Sequence, residues 1–137
     1  MTTTMTDDAS GGHDQGQRVP PVITEFYALV DAGDTDGLCA LFAPDAHYVR
    51  PGYPDLHSRE AIAHFYRYDR VISSGRHTLD HAFVDCNGPD ARIAVCGSFA
   101  GRKRDGSAVA HRFAEFFTLG SEGLFTERET FFAIAHV

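Results

Sequence analysis

The stretch SAVAHRFAEFFTL, residues 107–119, decides how this chain is read. Its side chains alternate in character. The odd positions are His111, Phe113, Glu115, Phe117 and Leu119, and the even ones include Ala110, Arg112, Ala114, Phe116 and Thr118. A period of two is that of a β-strand with two unlike faces. The odd face carries large rings and one carboxylate, so it is the face expected to meet the core. Just upstream, Asp105-Gly106 is the strongest hairpin signal in the chain. Working outward, strands are expected at 76–86, 91–101, 107–119 and 124–136. Their separators are Asn87-Gly88-Pro89, Asp105-Gly106 and Gly120 to Gly123.

Towards the N-terminus the period changes. After Pro20-Pro21, apolar residues fall at 22, 23, 26, 27, 29 and 30, a helical spacing, and Gly33 suits the residue after the helix end. Asp34 is expected to cap a second short helix through Leu38, Leu41 and Phe42, with Pro44 stopping it. Ala46 to Arg50 reads as a short strand, followed by a turn at Pro51-Gly52-Tyr53-Pro54. Ser58 is expected to cap a third helix carrying Ile62, Phe65, Tyr66 and Val71 and ending near Ser73-Ser74-Gly75. The class is therefore α+β, with helices packed on one face of a sheet. No crossover helix follows His77, which excludes a parallel βαβ arrangement.

Composition bounds the rest. The chain has 137 residues, 43% apolar, which suffices for one domain with a real core. Residues 1–18 read as a flexible tail, because they are polar and have nothing to pack, and 19–137 as a single domain. A net charge of −7 argues against nucleic-acid binding. No apolar run is long enough to span a bilayer, so no membrane partner is expected. Cys39, Cys86 and Cys96 have no C-x-x-C spacing, against a disulfide framework or a zinc ribbon. With no secretory signal at the N-terminus, a cytoplasmic protein is expected. The counts that stand out are 11 Phe, 5 Tyr and 8 His, with no Trp.

Phe26-Tyr27-Ala28-Leu29-Val30-Asp31-Ala32-Gly33-Asp34, then Leu41-Phe42-Ala43-Pro44-Asp45-Ala46, resembles the opening of nuclear transport factor 2-like proteins. These include the SnoaL-like polyketide cyclases and the ketosteroid isomerases. Arg59-Glu60-Ala61-Ile62, Phe65-Tyr66, Asp105-Gly106, Gly123-Leu124 and Thr130-Phe131-Phe132 fit the same pattern, which covers about residues 20–135. The resemblance implies a cone-shaped curved antiparallel sheet wrapped around three N-terminal helices, the cystatin-like α+β barrel. It also implies one deep pocket and a homodimer through the outer sheet face. The fold hosts many chemistries and decides none of them.

Within this frame the candidate residues can be weighed. Glu115 among phenylalanines would suit a general acid or base, and it falls where ketosteroid isomerases carry a pocket acid. Its other reading is an ion pair with an arginine, or a solvent-facing carboxylate after a register slip. Tyr48 and Arg50 share a face. Arg50 falls where the isomerases keep their proton-shuttling Asp, and an arginine cannot act as a base at neutral pH. It could instead hold a carboxylate or enolate, pair with Glu115, or snorkel at the rim. The isomerases' pocket tyrosine falls at Phe26, with Tyr27 next door pointing elsewhere. The acid–arginine–acid set of limonene epoxide hydrolases would fall at Val95, Gly97 and Thr130, so that chemistry is not supported.

His77, Leu79, His81 and Phe83 are read as one strand face, with His77 near the open end as a partner for Glu115 or as a plain hydrogen-bonding residue. Substrate contacts are expected from Tyr27, His111, Phe113, Phe117, Arg128, Thr130 and Phe132. A one-residue shift would replace Thr130 by Glu129. His111 and Glu115 are too few for a metal, and His13, His47, His57, His64 and His136 have no supporting neighbours in the sequence. The expectation is a cofactor-free cyclase, isomerase or dehydratase in natural-product biosynthesis, acting on a hydrophobic oxygenated small molecule of polyketide type, with Glu115 moving the proton and Arg50, Tyr48 and His77 polarising or orienting the substrate. The alternatives are a non-catalytic binding protein and a dimerisation module.

Overall fold

Pro21 sits at the first turn of helix α1 (Pro21–Ala32), where its missing N–H costs nothing. The helix ends at Gly33, whose φ of 72° is the left-handed conformation glycine adopts freely. Asp34 caps the short helix α2 (Thr35–Cys39), its side chain accepting from the Gly37 N–H at 2.9 Å. Ser58 caps α3 (Arg59–His64) in the same way through the Ala61 N–H at 3.0 Å. Both caps are the ones the sequence indicates. The structure, a computed structural model, describes residues 18–133. All but the last residue of the expected tail, and also His136, lie outside the described residues.

Several boundaries differ from the sequence reading. Leu41 and Phe42 do not extend α2. Strand β1 (Phe42–Val49) has already begun at Phe42, and Pro44 lies inside it. The strand tolerates proline because it is an edge strand whose register slips between Phe42 and His47. Helix α3 widens into a π-turn over Phe65–Asp69, closed by the Arg70 N–H on the Phe65 carbonyl at 2.8 Å. Val71 is therefore outside the helix, and Ser73-Ser74-Gly75 belong to strand β2 (Ile72–Asp85) rather than to a helix end. Strands β3 (Ala91–Lys103), β4 (Ala108–Leu119) and β5 (Phe125–Phe132) follow.

The five strands form one sheet in the order β1-β5-β4-β3-β2. The last four pair antiparallel, whereas β1 lies parallel to β5. That parallel pair is reached through α3 and the whole meander. β1 and β2 stand at opposite ends and do not pair, so the sheet is open rather than a closed barrel. Its inner face packs on the helices around Phe26. That ring meets Tyr27, Phe42, Phe117 and Phe125 edge-on, with centroids 5.2–5.8 Å apart. Buried clusters of this kind supply most of the folding free energy. No helix among the described residues is long and apolar enough to cross a membrane.

One strand face is corrected. A bulge between Leu79 and His81 switches β2 over. His77 and Leu79 stand opposite Phe99 and Gly97, whereas His81 and Phe83 turn to the outer face and Ala82 is buried in their place. Gly97 permits this crossing, because a Cβ there would lie 2.1 Å from the Thr78 carbonyl oxygen. Gly97→Ala is expected to cost about 1–3 kcal/mol through overpacking against backbone. Chemical unfolding measures it, and an unchanged midpoint would mean that the bulge relaxes freely.

Candidate functional site

The inner face of β4 and β5 brings Glu115, Arg128 and Thr130 together, all buried to 4% exposure or less. Glu115 stands opposite Thr130 in the β4–β5 ladder, which settles the register: Thr130 faces in and Glu129 faces out. Arg128 donates to one Glu115 carboxylate oxygen through Nε at 2.8 Å and Nη2 at 2.7 Å. The Thr130 hydroxyl donates to that same oxygen, and the Tyr27 hydroxyl from α1 donates to the other. Arg128 also donates through Nη1 to the Tyr66 hydroxyl at 2.7 Å, and its guanidinium lies 4.3 Å from the Tyr48 ring centroid.

The arginine that reaches Glu115 is thus Arg128, not Arg50. Burial by itself would lower the Arg128 pKa, but Glu115 and the surrounding tyrosine hydroxyls outweigh it and hold the guanidinium charged. Burial, and then the adjacent Glu115, pushes Tyr27 well above its usual range, so its proton stays on the phenol. The Glu115 carboxylate accepts from four donor groups and sits inside a satisfied network. It is an anchor rather than a free base.

The network continues outward. The Thr130 hydroxyl gives its single proton to Glu115, so at 2.9 Å it accepts from the Tyr48 hydroxyl. The Tyr48 hydroxyl in turn accepts from Arg50 Nη1 at 3.2 Å. Arg50, half-buried just past the end of β1, lies among the rings of Phe132, Phe65 and Tyr53, at 5.1, 5.3 and 6.0 Å from their centroids. Its Nε is buried and has no hydrogen-bond partner, and among the described residues no carboxylate pairs with it. Arg70 adds a second partly buried guanidinium, its pKa lowered by burial. Three arginines therefore converge where the network holds one acid.

At the other end, His77 Nδ1 lies 2.6 Å from Asp31 Oδ1, and the His77 backbone N–H donates to Asp31 Oδ2 at 2.9 Å. Asp31 so fixes the imidazole with its proton on Nδ1 and the Nε2 lone pair free. Among the described residues Nε2 has no hydrogen-bond partner. Burial lowers the His77 pKa below its ordinary 6.5, with Asp31 opposing the shift. His77 packs on the rings of Phe99, Tyr27 and Phe113 at 4.7, 4.9 and 5.4 Å. Phe99 leads to His111 at 5.7 Å, and His111 to Phe132 at 4.6 Å. A belt of rings therefore joins His77 to Arg50.

Every sequence-level candidate faces this interior or its rim. Phe117 is buried in the cluster around Phe26, while His111 and Phe132 are half-exposed. Asp31, Tyr66 and Arg70 were missed by sequence reasoning. Asp31 was findable, because it is four residues after Tyr27 and so on the same helical face. Tyr66 and Arg70 carried no signal, since the π-turn that aims them has no simple periodicity.

A family model described as a SnoaL-like domain matches residues 23–128. Among solved structures, the chain is similar to a hypothetical protein with a ketosteroid isomerase-like fold from Catenulispora acidiphila, in complex with trimethylamine. The TM-score is 0.73 at 18% identity, over 86% of this chain and 89% of that one. It is also similar to TerC co-crystallised with polyporic acid, with a TM-score of 0.67 at 21% identity over 82% and 88% of the two chains. The orange carotenoid protein of Anabaena binding canthaxanthin matches with a TM-score of 0.72 at 18% identity over 83% of this chain. This chain spans 36% of that protein's length.

The buried pair yields a stability prediction. Glu115→Gln leaves Arg128 charged and without a counter-ion, which is expected to cost about 3–5 kcal/mol in urea unfolding. Adding Arg128→Met should restore most of the loss. A double variant as unstable as the single one would mean that the pair's charges are not what matters.

Proposed function

The chain belongs to the SnoaL-like domain family, and from that premise we propose that it performs acid–base chemistry on a hydrophobic, oxygenated small molecule carrying an enolate or carboxylate. A polyketide-type intermediate has this character. The observation that carries the reading is Arg50: a half-buried guanidinium, ringed by aromatics, with a buried donor left unused. A donor placed so is costly unless a ligand takes it. An anionic oxygen on a flat apolar body would satisfy both the donor and the rings. TerC, a chain of this fold co-crystallised with polyporic acid, supports an acidic ligand.

The proton mover in this proposal is His77 rather than Glu115. Asp31 orients the imidazole, Nε2 is free, and a pKa below 6.5 keeps the ring neutral at pH 7, which is the basic form. Abstraction of a proton next to a carbonyl by His77 would place negative charge on the oxygen, which the Arg50 guanidinium would stabilise. Cyclisation, isomerisation and dehydration all share this step. The exposed Cys86 thiol suits a reducing compartment, and we place the protein in the cytoplasm.

An aryl 1,3-diketone is a suitable probe, because it has an apolar ring and an acidic carbon. Arg50→Gln is expected to weaken its binding about 10- to 100-fold by calorimetry, the worth of a charge-assisted hydrogen bond. His77→Gln should keep binding but abolish exchange of the probe's acidic C–H in D2O, followed by NMR. Exchange should fall in acid, as His77 takes up its proton below pH 6.5. Binding without exchange in the native protein would favour a binding protein. Exchange unaffected by His77→Gln would remove the assigned base.

We also propose that two copies meet through the outer sheet face. Phe83, Phe116 and Phe131 are about half exposed there. They line a groove of about 740 Å³ whose walls also carry Arg92, Glu127 and Glu129. Charges of both signs beside an apolar patch suit contact with a second copy about a two-fold axis. Light scattering should give twice the chain mass for the native protein and a monomer for Phe116→Glu. A monomeric native protein at micromolar concentration would refute the interface.

A further inference from the structure

A pair of reciprocal hydrogen bonds joins Tyr48 to Leu56, each backbone N–H donating to the other's carbonyl at 2.9 Å. This antiparallel bridge folds the segment after the Pro51–Pro54 turn back along the free edge of β1. In such a bridge, the residues one step to either side face each other. His57 thereby comes to stand beside His47, and Asp55, two residues before His57, points to the same side. Tyr48 itself points inward, so the three flanking side chains lie on the outer side, away from the site built around Glu115. The sequence gives His47 and His57 no supporting neighbours, and the bridge supplies them.

The geometry is that of a ligand set. The His47 and His57 rings stack in parallel, 8° apart with centroids 4.7 Å apart. His47 Nε2 lies 3.2 Å from Asp55 Oδ2. One donor atom from each of the three residues lies within 4.8 Å of the others. Zinc bonds of about 2.0–2.2 Å to imidazole nitrogen and carboxylate oxygen place tetrahedral ligand atoms about 3.4 Å apart. The His47–Asp55 pair already has that spacing. The His57 ring must swing out of the stack to join it, and because both His57 and Asp55 are exposed, nothing packed has to move. Glu127 stands opposite His47 in the β1–β5 register and adds a further carboxylate to this face.

We propose that His47, Asp55 and His57 bind a divalent transition-metal ion of zinc type. Two neutral imidazoles and a carboxylate are the borderline donor set that zinc accepts, and three protein ligands leave a fourth position for water. The backbone bridge fixes the β-carbons of the two histidines before any ion arrives. The ordering cost of binding is therefore confined to three short side chains. The site is independent of Arg50 and His77, so it stands or falls apart from the proposed acid–base function.

The probe is Zn2+ alone, titrated by calorimetry into the full chain at pH 7.5, with Co2+ absorption as a readout of coordination. One ion per chain is expected. His57→Ala and His47→Ala should each weaken binding more than about tenfold, since even groups that merely support a ligand are worth that much. His64→Ala, at the end of α3 where the ring pairs with Asp69 instead, should leave binding unchanged. Both histidines are at the surface, and unaltered thermal unfolding of the apo variants will verify that they fold. No Zn2+ binding by the native chain, or binding that survives His57→Ala undiminished, overturns the site.

Discussion

A single buried ion pair, Arg128 with Glu115, constrains most of this molecule. Two charges removed from water are tolerated only when every remaining donor and acceptor finds a partner. Here the partners come from everywhere: Tyr27 on α1, Tyr48 on β1, Tyr66 on the π-turn after α3, and Thr130 on β5. Each hydroxyl has one proton to give, so the direction of donation is fixed from Arg50 at the rim to the carboxylate at the centre. Elements far apart in sequence are thereby held in one register.

This network separates two roles that a carboxylate in a phenylalanine-lined fold could combine. Glu115 is fully engaged, and the groups proposed to meet a ligand lie at the two ends of the ring belt: the unpartnered Nε of Arg50 and the His77 imidazole. A cation for an anionic oxygen and a neutral base for a carbon acid make a coherent pair. The same fold can bind without turnover, so the separation of binding from exchange is the decisive question about function.

The outer surface follows a different logic. Its strands present Phe83, Phe116 and Phe131 to solvent, while the free edge of β1 is covered by a short backbone bridge at Leu56. Covering an edge prevents unwanted strand pairing. Here the same bridge brings Asp55 and His57, eight and ten residues further along the chain, beside His47.

Local rules carried much of this in the sequence itself. The alternation of residues 107–119, the caps at Asp34 and Ser58, Gly33 after α1 and the Asp105-Gly106 turn are each decided by a few neighbouring residues, and they placed Glu115, Phe113 and Phe117 inward. What depends on contacts between distant segments could not be read there. The parallel β1–β5 pairing, the bulge that turns His81 and Phe83 outward, and the widened turn that aims Tyr66 are set by packing against elements not adjacent in the chain. The choice of Arg128 over Arg50 as the partner of Glu115 belongs with them. An isolated glutamate on an apolar face looks like a base in need of a proton; only the folded sheet shows that an arginine on the neighbouring strand has already satisfied it.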